Sequence, residues 1–290
     1  MTPDILCIGS VLWDVIGRSP SHMRVGSDVP GRIIRIPGGV AMNIAMTLAR
    51  FGLKPGLLTA VGRDAAGDEL IREAEALGLI CDYVYRSDNL PTDVYMAIEG
   101  TNGVIAAIAD AHSLEAADNK ILGPIYNGTL NINCPIALDG NLTPALLKSI
   151  ASNKLFASSD LRIAPASPGK AERLKCFFGH TSACLYVNLE EANLLCNSGH
   201  RCSEAAALNL VACGAHRALV TDGGTSVSEA SDGFVHTLVP QSVAVTRVTG
   251  AGDTFMAAHI ASEVEGCDRV DALKRATDAA ANFVSGKTPK

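Results

Sequence analysis

A chain of 290 residues with 48% hydrophobic content is long enough to bury one large α/β core or two small ones. Lys and Arg total 24 against 30 Asp and Glu, and a net charge of −6 argues against duplex nucleic acid or an anionic membrane as a main partner. The nine cysteines are odd in number and scattered without a C-x-x-C pair, so neither a zinc knuckle nor a dithiol redox site is expected, and a reducing cytosol suits them.

Asp4-Ile5-Leu6-Cys7-Ile8-Gly9 is an apolar run too short for a signal segment and without a basic flank. It reads as a buried parallel strand, and a cytoplasmic protein is expected. Arg32-Ile33-Ile34-Arg35-Ile36 reads as a short strand outside the main rhythm. Ile44, Leu48 and Phe51 then fall at i, i+4 and i+7 before Gly52, the signature of a helix over 41–51 closed by glycine. Strand followed by helix recurs at 57–61 with 70–77, with Asp64 between them as a turn or cap residue. Residues 94–98 and 104–108, joined through Gly100-Thr101-Asn102-Gly103, read as a hairpin. The rhythm returns at 136–138 with 144–150, at 185–187 with 190–196, and at 218–221, before two helical patterns over 254–264 and 271–284. Such alternation predicts a mainly parallel sheet covered on both faces, with ligands beyond the carboxyl ends of its strands. No internal repeat or linker divides the chain.

Thr249-Gly250-Ala251-Gly252-Asp253-Thr254-Phe255 joins a glycine turn, a helix N-terminus and a carboxylate. The turn can aim several backbone N–H groups at one point where the helix dipole also favours an anion, and phosphate is the natural guest. Asp253 would stand beside it to take a proton from an attacking alcohol. There is no G-x-x-x-x-G-K-[ST] and no H-R-D or D-F-G set, so the phosphates are held by other means. The dinucleotide fingerprint G-x-G-x-x-G is also missing after the first strand. Asn188-Leu189-Glu190-Glu191 follows an apolar run and places Asn188 and Glu191 on one face of a helix's first turn. An N-cap Asn with Glu at N3 is the other reading of the same spacing.

The Gly250–Asp253 run resembles the C-terminal signature of the ribokinase/PfkB family of sugar and nucleoside kinases, and Pro37-Gly38-Gly39-Val40-Ala41-Met42-Asn43-Ile44-Ala45 resembles its N-terminal signature. The resemblance implies a ribokinase-like three-layer α/β/α sandwich over 1–290, with a mainly parallel sheet and a small β-sheet lid contributed by about 11–37 and 92–110. It further implies an anion hole from Gly250, Ala251 and Gly252 with Asp253 as base. Asp14, Gly38, Gly39 and Asn43 are placed at the acceptor. For ATP it implies Asn188, Thr221, Gly223, Gly250, Gly252 and Asn282, with Glu191 and Asn188 holding Mg²⁺ through water.

Arg247 stands where the family has an Asp linked to a monovalent-cation loop, so it repels K⁺, substitutes for it, or points to solvent. Stretches such as Pro91-Thr92-Asp93-Val94-Tyr95, Leu138-Asp139-Gly140-Asn141-Leu142-Thr143 and Ala164-Pro165-Ala166-Ser167-Pro168-Gly169-Lys170-Ala171 are similar to pseudouridine kinases. That branch implies phosphorylation of the pseudouridine 5′-hydroxyl, with Thr92, Tyr95 and Asp110 meeting the acceptor from the lid. Asp110 also reads as a strand-end turn residue. The competing expectations are another sugar or nucleoside kinase (ribokinase, adenosine- or uridine-type, or 2-keto-3-deoxygluconate kinase) and a non-catalytic nucleoside or sugar sensor. A homodimer joined through lid edges is a further expectation.

Overall fold

The computed structural model describes residues 2–24 and 26–287. The chain opens with β1 (Ile5–Ile8), β2 (Leu12–Arg18), β3 (Arg32–Gly38) and α1 (Val40–Arg50). There follow β4 (Pro55–Leu58), β5 (Ala60–Gly62), α2 (Ala65–Ala76), β6 (Tyr85–Ser87), β7 (Val94–Gly100) and β8 (Gly103–Asp110). The middle supplies α3 (His112–Ala117), α4 (Gly123–Tyr126), β9 (Ile136–Asp139), α5 (Pro144–Ser152), β10 (Leu161–Ala164), β11 (Ala183–Asn188) and α6 (Leu189–Cys196). The last elements are α7 (Ser203–Ala212), β12 (Arg217–Asp222), β13 (Ser226–Ser231), β14 (Phe234–Leu238), α8 (Ala251–Val264) and α9 (Arg269–Val284).

The main sheet has the order β14-β13-β12-β11-β10-β9-β1-β4. Its pairings are parallel from β12 to β4 and antiparallel at β13 and β14. Parallel neighbours need crossovers, and the crossover helices cover both faces. On one face Ile8, Leu138, Ile163, Leu185 and Val220 pack with Leu146, Leu195 and Leu210. On the other, Ile5, Cys7, Tyr186 and Leu219 lie with Ile44, Leu48, Leu70, Phe255 and Leu273. The result is the expected three-layer α/β/α sandwich, and it explains why β1 is apolar at every position: each of its residues is buried.

A second sheet has the order β3-β2-β7-β8. Its register sets Asp14, Ile36, Tyr95 and Ala109 in one row and Trp13, Pro37, Val94 and Asp110 in the next, so the two sets face opposite sides. Trp13 anchors the sheet by donating its indole N–H to the Ala66 carbonyl at 2.9 Å.

Two departures from the sequence pattern have physical causes. Residues 57–61 do not form one strand: the chain leaves the main sheet at Thr59, and β5 pairs with β6 instead. β10, β13 and β14 lie outside the expected series because polar residues interrupt them. Arg162 in β10 and Glu229 in β13 are buried all the same, held by ion pairs.

From β1 the chain proceeds to β4 on one side and returns to β9 on the other. The order therefore reverses between β1 and β9, and a crevice opens there at the carboxyl ends of the parallel strands.

Candidate active site

The crevice has a polar floor. Asp139, at the end of β9, accepts on Oδ2 from Ser10 N–H at 2.7 Å, Ser10 Oγ at 2.9 Å and Ala41 N–H at 3.1 Å. Its Oδ1 accepts from Asn141 N–H at 2.7 Å. Burial pushes the Asp139 carboxyl above its usual value, and the four donors work against that push. Ser10 Oγ in turn accepts from Val40 N–H and Asn141 Nδ2, both at 2.9 Å, so the start of α1 is tied to both strand ends. Lys170 donates to Asn141 Oδ1, and burial, with Arg173 nearby, lowers its pKa.

Above this floor the structure brings Asn43 and Asp253 together from positions 210 apart: Asn43 Nδ2 donates to Asp253 Oδ2 at 2.9 Å. Gly39 allows α1 to start there, with φ of 94° and a Cβ position only 2.5 Å from the Ser10 carbonyl oxygen, which no side chain tolerates. Burial raises the Asp253 carboxyl to about 7, the Asn43 hydrogen bond opposes this, and the charges of Asp139, Asp14 and Glu191 add to it. Asp14, half-buried on β2, is raised by burial to about 6. Its carboxylate lies in the space that a side chain at Gly38 would fill. Asp14, Asn43 and Asp253 thus form a cup with one amide and two carboxyls, both titrating close to neutrality, able to donate to and accept from neighbouring hydroxyls.

The glycine run forms a type II turn closed by Ala251 N–H donating to the Val248 carbonyl at 3.0 Å. Gly250, at φ 88° and ψ 0°, occupies the position that requires positive φ. The expectation for Ala251 is corrected here: its N–H closes the turn and is spent. Gly252 and Asp253 N–H have no acceptor among the described residues, and a Cβ at Gly252 would meet nothing within 4 Å. Two donors without a partner among the described residues therefore stand at the positive end of α8.

On the other side of the crevice, Asn188 and Thr221 are paired neighbours at the ends of β11 and β12. Gly223, at φ 52°, turns the chain after β12. Asn188 and Glu191 make the reciprocal cap: Asn188 Oδ1 accepts from Glu191 N–H at 2.9 Å, and Glu191 Oε2 accepts from Asn188 N–H at 2.8 Å. Burial raises the Glu191 carboxyl. The cap occupies one oxygen of each side chain and leaves Glu191 Oε1 and Asn188 Nδ2 without a partner among the described residues. No three His, Cys, Asp or Glu side chains gather into a metal cluster among the described residues. A single free carboxylate oxygen fits Mg²⁺ held through its own water shell and not a site that strips it. Asn282 is half-buried near the end of α9, and its side chain has no hydrogen-bond partner among the described residues.

Two of the residues expected at the acceptor have other partners in the structure. Thr92 donates its hydroxyl to Asp64 Oδ1 at 2.6 Å and its N–H to Asp64 Oδ2 at 2.8 Å, so it is built into the cap of α2. Asp110 lies on the Trp13 face, opposite Asp14, and pairs with the exposed His112 at 2.6 Å. Tyr95 does share the Asp14 face. The sequence reading missed Ser10, Asp139, Asn141 and Lys170 as site residues. The stretches 138–143 and 164–171 contain three of them, but Ser10 has no local signal beyond following a strand.

A parallel sheet with this crevice, an acceptor cup and unpaired N–H groups beside a carboxyl defines a phosphotransferase acting on an alcohol. Comparison with known proteins agrees. The family model "pfkB family carbohydrate kinase" matches residues 2–288, and the chain belongs to that family. Pseudouridine kinase of Escherichia coli is 27% identical over 93% of this chain and 87% of its own length. Ribokinase of Bacillus subtilis is 28% identical over 96% and 91%, respectively. The solved structure of Arabidopsis thaliana ribokinase complexed with ribose and ATP superimposes with a TM-score of 0.79 at 20% identity, covering 98% of this chain and 93% of that one.

Proposed function

We propose that this enzyme transfers the γ-phosphoryl group of ATP to the 5′-hydroxyl of pseudouridine, giving pseudouridine 5′-phosphate and ADP. The reading of the chemistry rests on one observation: the Asp253 carboxyl, held by Asn43, stands one residue from the unpaired Gly252 N–H and beside its own. Asp253 takes the hydroxyl proton as the acceptor oxygen bonds to phosphorus and the bond to the β-phosphate oxygen breaks. The N–H groups of Gly252 and Asp253 hold the charge on the transferring group. Asp14 and Asn43 orient the sugar through its hydroxyls, with Gly38 and Gly39 leaving room for it.

ATP supplies the phosphoryl group, and Mg²⁺ neutralises charge on its phosphates. Glu191 Oε1 and Asn188 Nδ2 would hold the ion's water shell, and Thr221, Gly223 and Asn282 would border the nucleotide. Pseudouridine is favoured by the similarity to its kinases, while Lys170 and Asn141, joined to each other and through Ser10 to the polar floor, offer donors for carbonyl oxygens of a base. Arg247 already holds a positive charge in the loop before the glycine turn, so the proposed reaction needs no K⁺. The nine cysteines are free thiols, which supports a cytoplasmic site of action. Among the described residues no helix is long and apolar enough to cross a membrane.

The test is ADP release from ATP and Mg²⁺ with pseudouridine, uridine, adenosine, ribose, fructose and 2-keto-3-deoxygluconate, in potassium and in choline salts. Preference for pseudouridine by about tenfold or more in kcat/KM supports the acceptor. Preference for another sugar keeps the transfer chemistry and discards pseudouridine. No turnover with any of them favours a sensor.

A further inference from the structure

The loop between β14 and α8 contains no strand or helix, and Val245 and Val248 within it are exposed to water at 64% and 69%. Thr246 and Arg247 in this loop hydrogen-bond to the end of α9. The last carbonyls of a helix have no partner within it, and the negative end of the dipole lies there. Thr246 supplies its N–H to the Val284 carbonyl at 2.8 Å and its hydroxyl to the same oxygen at 3.1 Å. Arg247 adds its backbone N–H to Val284 at 3.3 Å and its Nε–H to the Phe283 carbonyl at 2.9 Å. The guanidinium carbon then lies over the Phe283 ring, 3.7 Å from its centroid.

The tip of the same ring meets the glycine turn. A Cβ placed on Gly250 would sit 3.0 Å from Phe283 Cζ, so ring and turn are in close contact at the residue whose positive φ sets the turn. Arg247, Phe283 and Gly250 therefore form a contact chain that joins the carbonyl end of α9 to the amide end of α8.

We propose that Arg247 is a positioning residue for the phosphate-binding turn. It clamps the Phe283 ring, which holds Gly250 and so fixes the direction in which the Gly252 and Asp253 N–H groups point. The inference rests on the transfer reading above, because it assigns those N–H groups to the developing charge. Loss of the clamp frees the turn to sample other conformations, which weakens stabilisation of the reacting phosphoryl group and leaves the acceptor cup of Asp14 and Asn43 untouched.

The test uses the full-length protein with Arg247→Ala, Arg247→Lys and Phe283→Leu. Hydrogen exchange at the Gly252 and Asp253 amides reads the turn without any substrate, and it quickens about tenfold in Arg247→Ala and Phe283→Leu as the turn opens more often. In turnover, kcat falls about tenfold, below the 10²–10³ that deleting an oxyanion donor costs, while KM for the acceptor stays within about twofold. Millimolar guanidinium restores kcat in Arg247→Ala and not in the double variant with Phe283→Leu. Arg247→Lys remains impaired, since an ammonium cannot lie flat on the ring and donate in its plane. Unchanged exchange at both amides overturns the proposal, as does a loss of kcat that matches a loss of thermal stability and resists guanidinium. Should no acceptor be phosphorylated, exchange alone decides the clamp, so its failure and that of the transfer reading remain separate.

Discussion

Asp253 carries conflicting demands. Burial and the surrounding Asp139, Asp14 and Glu191 raise its carboxyl to about 7, which suits a base at neutral pH and penalises the empty protein. A carboxyl whose pKa rises on folding contributes stability that is present below its unfolded value, near 3.8, and lost as pH climbs through the folded value of about 7. Asp253→Asn keeps an acceptor for Asn43 and removes that penalty. Its melting point at pH 8 is expected to rise by a few degrees, corresponding to about 1–2 kcal/mol, with little change at pH 4. Turnover in the same variant falls by about 10³ or more while nucleotide binding, followed by calorimetry, persists. Full activity would remove Asp253 from the role of base. In the parent, kcat/KM should decline as pH drops below about 7, following protonation of Asp253, and decline again near the value of about 6 for Asp14. A pH profile flat from 8 to 5 would contradict both assignments.

Among the elements, the strands hardest to read from sequence are those tied together by charge. Arg162 of β10 pairs with Asp160 and with Glu263 of α8, and Arg217 of β12 bridges Glu229 of β13 and Glu263. Arg269 of α9 completes the set on Glu229. Three guanidiniums face three carboxylates; burial pushes Glu229 and Glu263 up, but the buried His259 first, then the Arg217, Arg162 and Arg269 charges, hold both down at about 2. Glu263→Gln leaves two buried guanidiniums short of a partner, so urea denaturation at pH 7 should show a loss of about 3–5 kcal/mol. The depressed pKa of Glu263 contributes stability above its unfolded value near 4.5 that is lost as pH falls towards 2, so the deficit of the variant should shrink in that window. A loss under about 1 kcal/mol at pH 7 would show that the cluster carries little net stability.

The same chemistry explains what was legible. β1 and α1 announced themselves through unbroken or periodic apolar residues, because only the hydrophobic effect decides their burial. β10 and β13 did not, because their burial depends on charged partners on other elements, 12 to 101 positions away. The site divides likewise. Local signals gave Gly250, Gly252 and Asp253, since turn, dipole and carboxylate are contiguous. Ser10, Asp139 and Asn141 become a site only when β1 and β9 lie side by side. The face taken by Asp110 was not legible because a position in a strand does not reveal its side until the register is known, and the Thr92 bond to Asp64 joins residues 28 positions apart.

At the scale of the molecule, the four-stranded sheet leaves a face unaccounted for. Val15, Met96 and Ile108 align in one row and Ile33 and Ile98 in the next but one, all on the side opposite Asp14. Ile33 is 78% exposed, Ile108 69% and Met96 47%. Polar side chains would be expected at such positions if water were their permanent neighbour, and isolated apolar residues need no explanation where a contiguous patch does. A second copy offering the same face would cover it by two-fold symmetry, because each apolar row then meets its own equivalent. We propose that the enzyme pairs in this way, and the pairing would also stiffen the sheet that carries Asp14 and Tyr95. Sedimentation of the parent at micromolar concentration should give a dimer of a 30.2 kDa chain. Ile33→Lys with Ile108→Lys should give a monomer, because burying two ammonium groups per subunit in an apolar interface is unfavourable by several kcal/mol, on the order of the cost of an unpaired buried charge. Since Asp14 sits on the sheet that such a dimer would stiffen, KM for the acceptor should rise in the monomer while Asp253 retains its pH profile. A parent that sediments as a monomer would remove the pairing and leave the catalytic assignments intact.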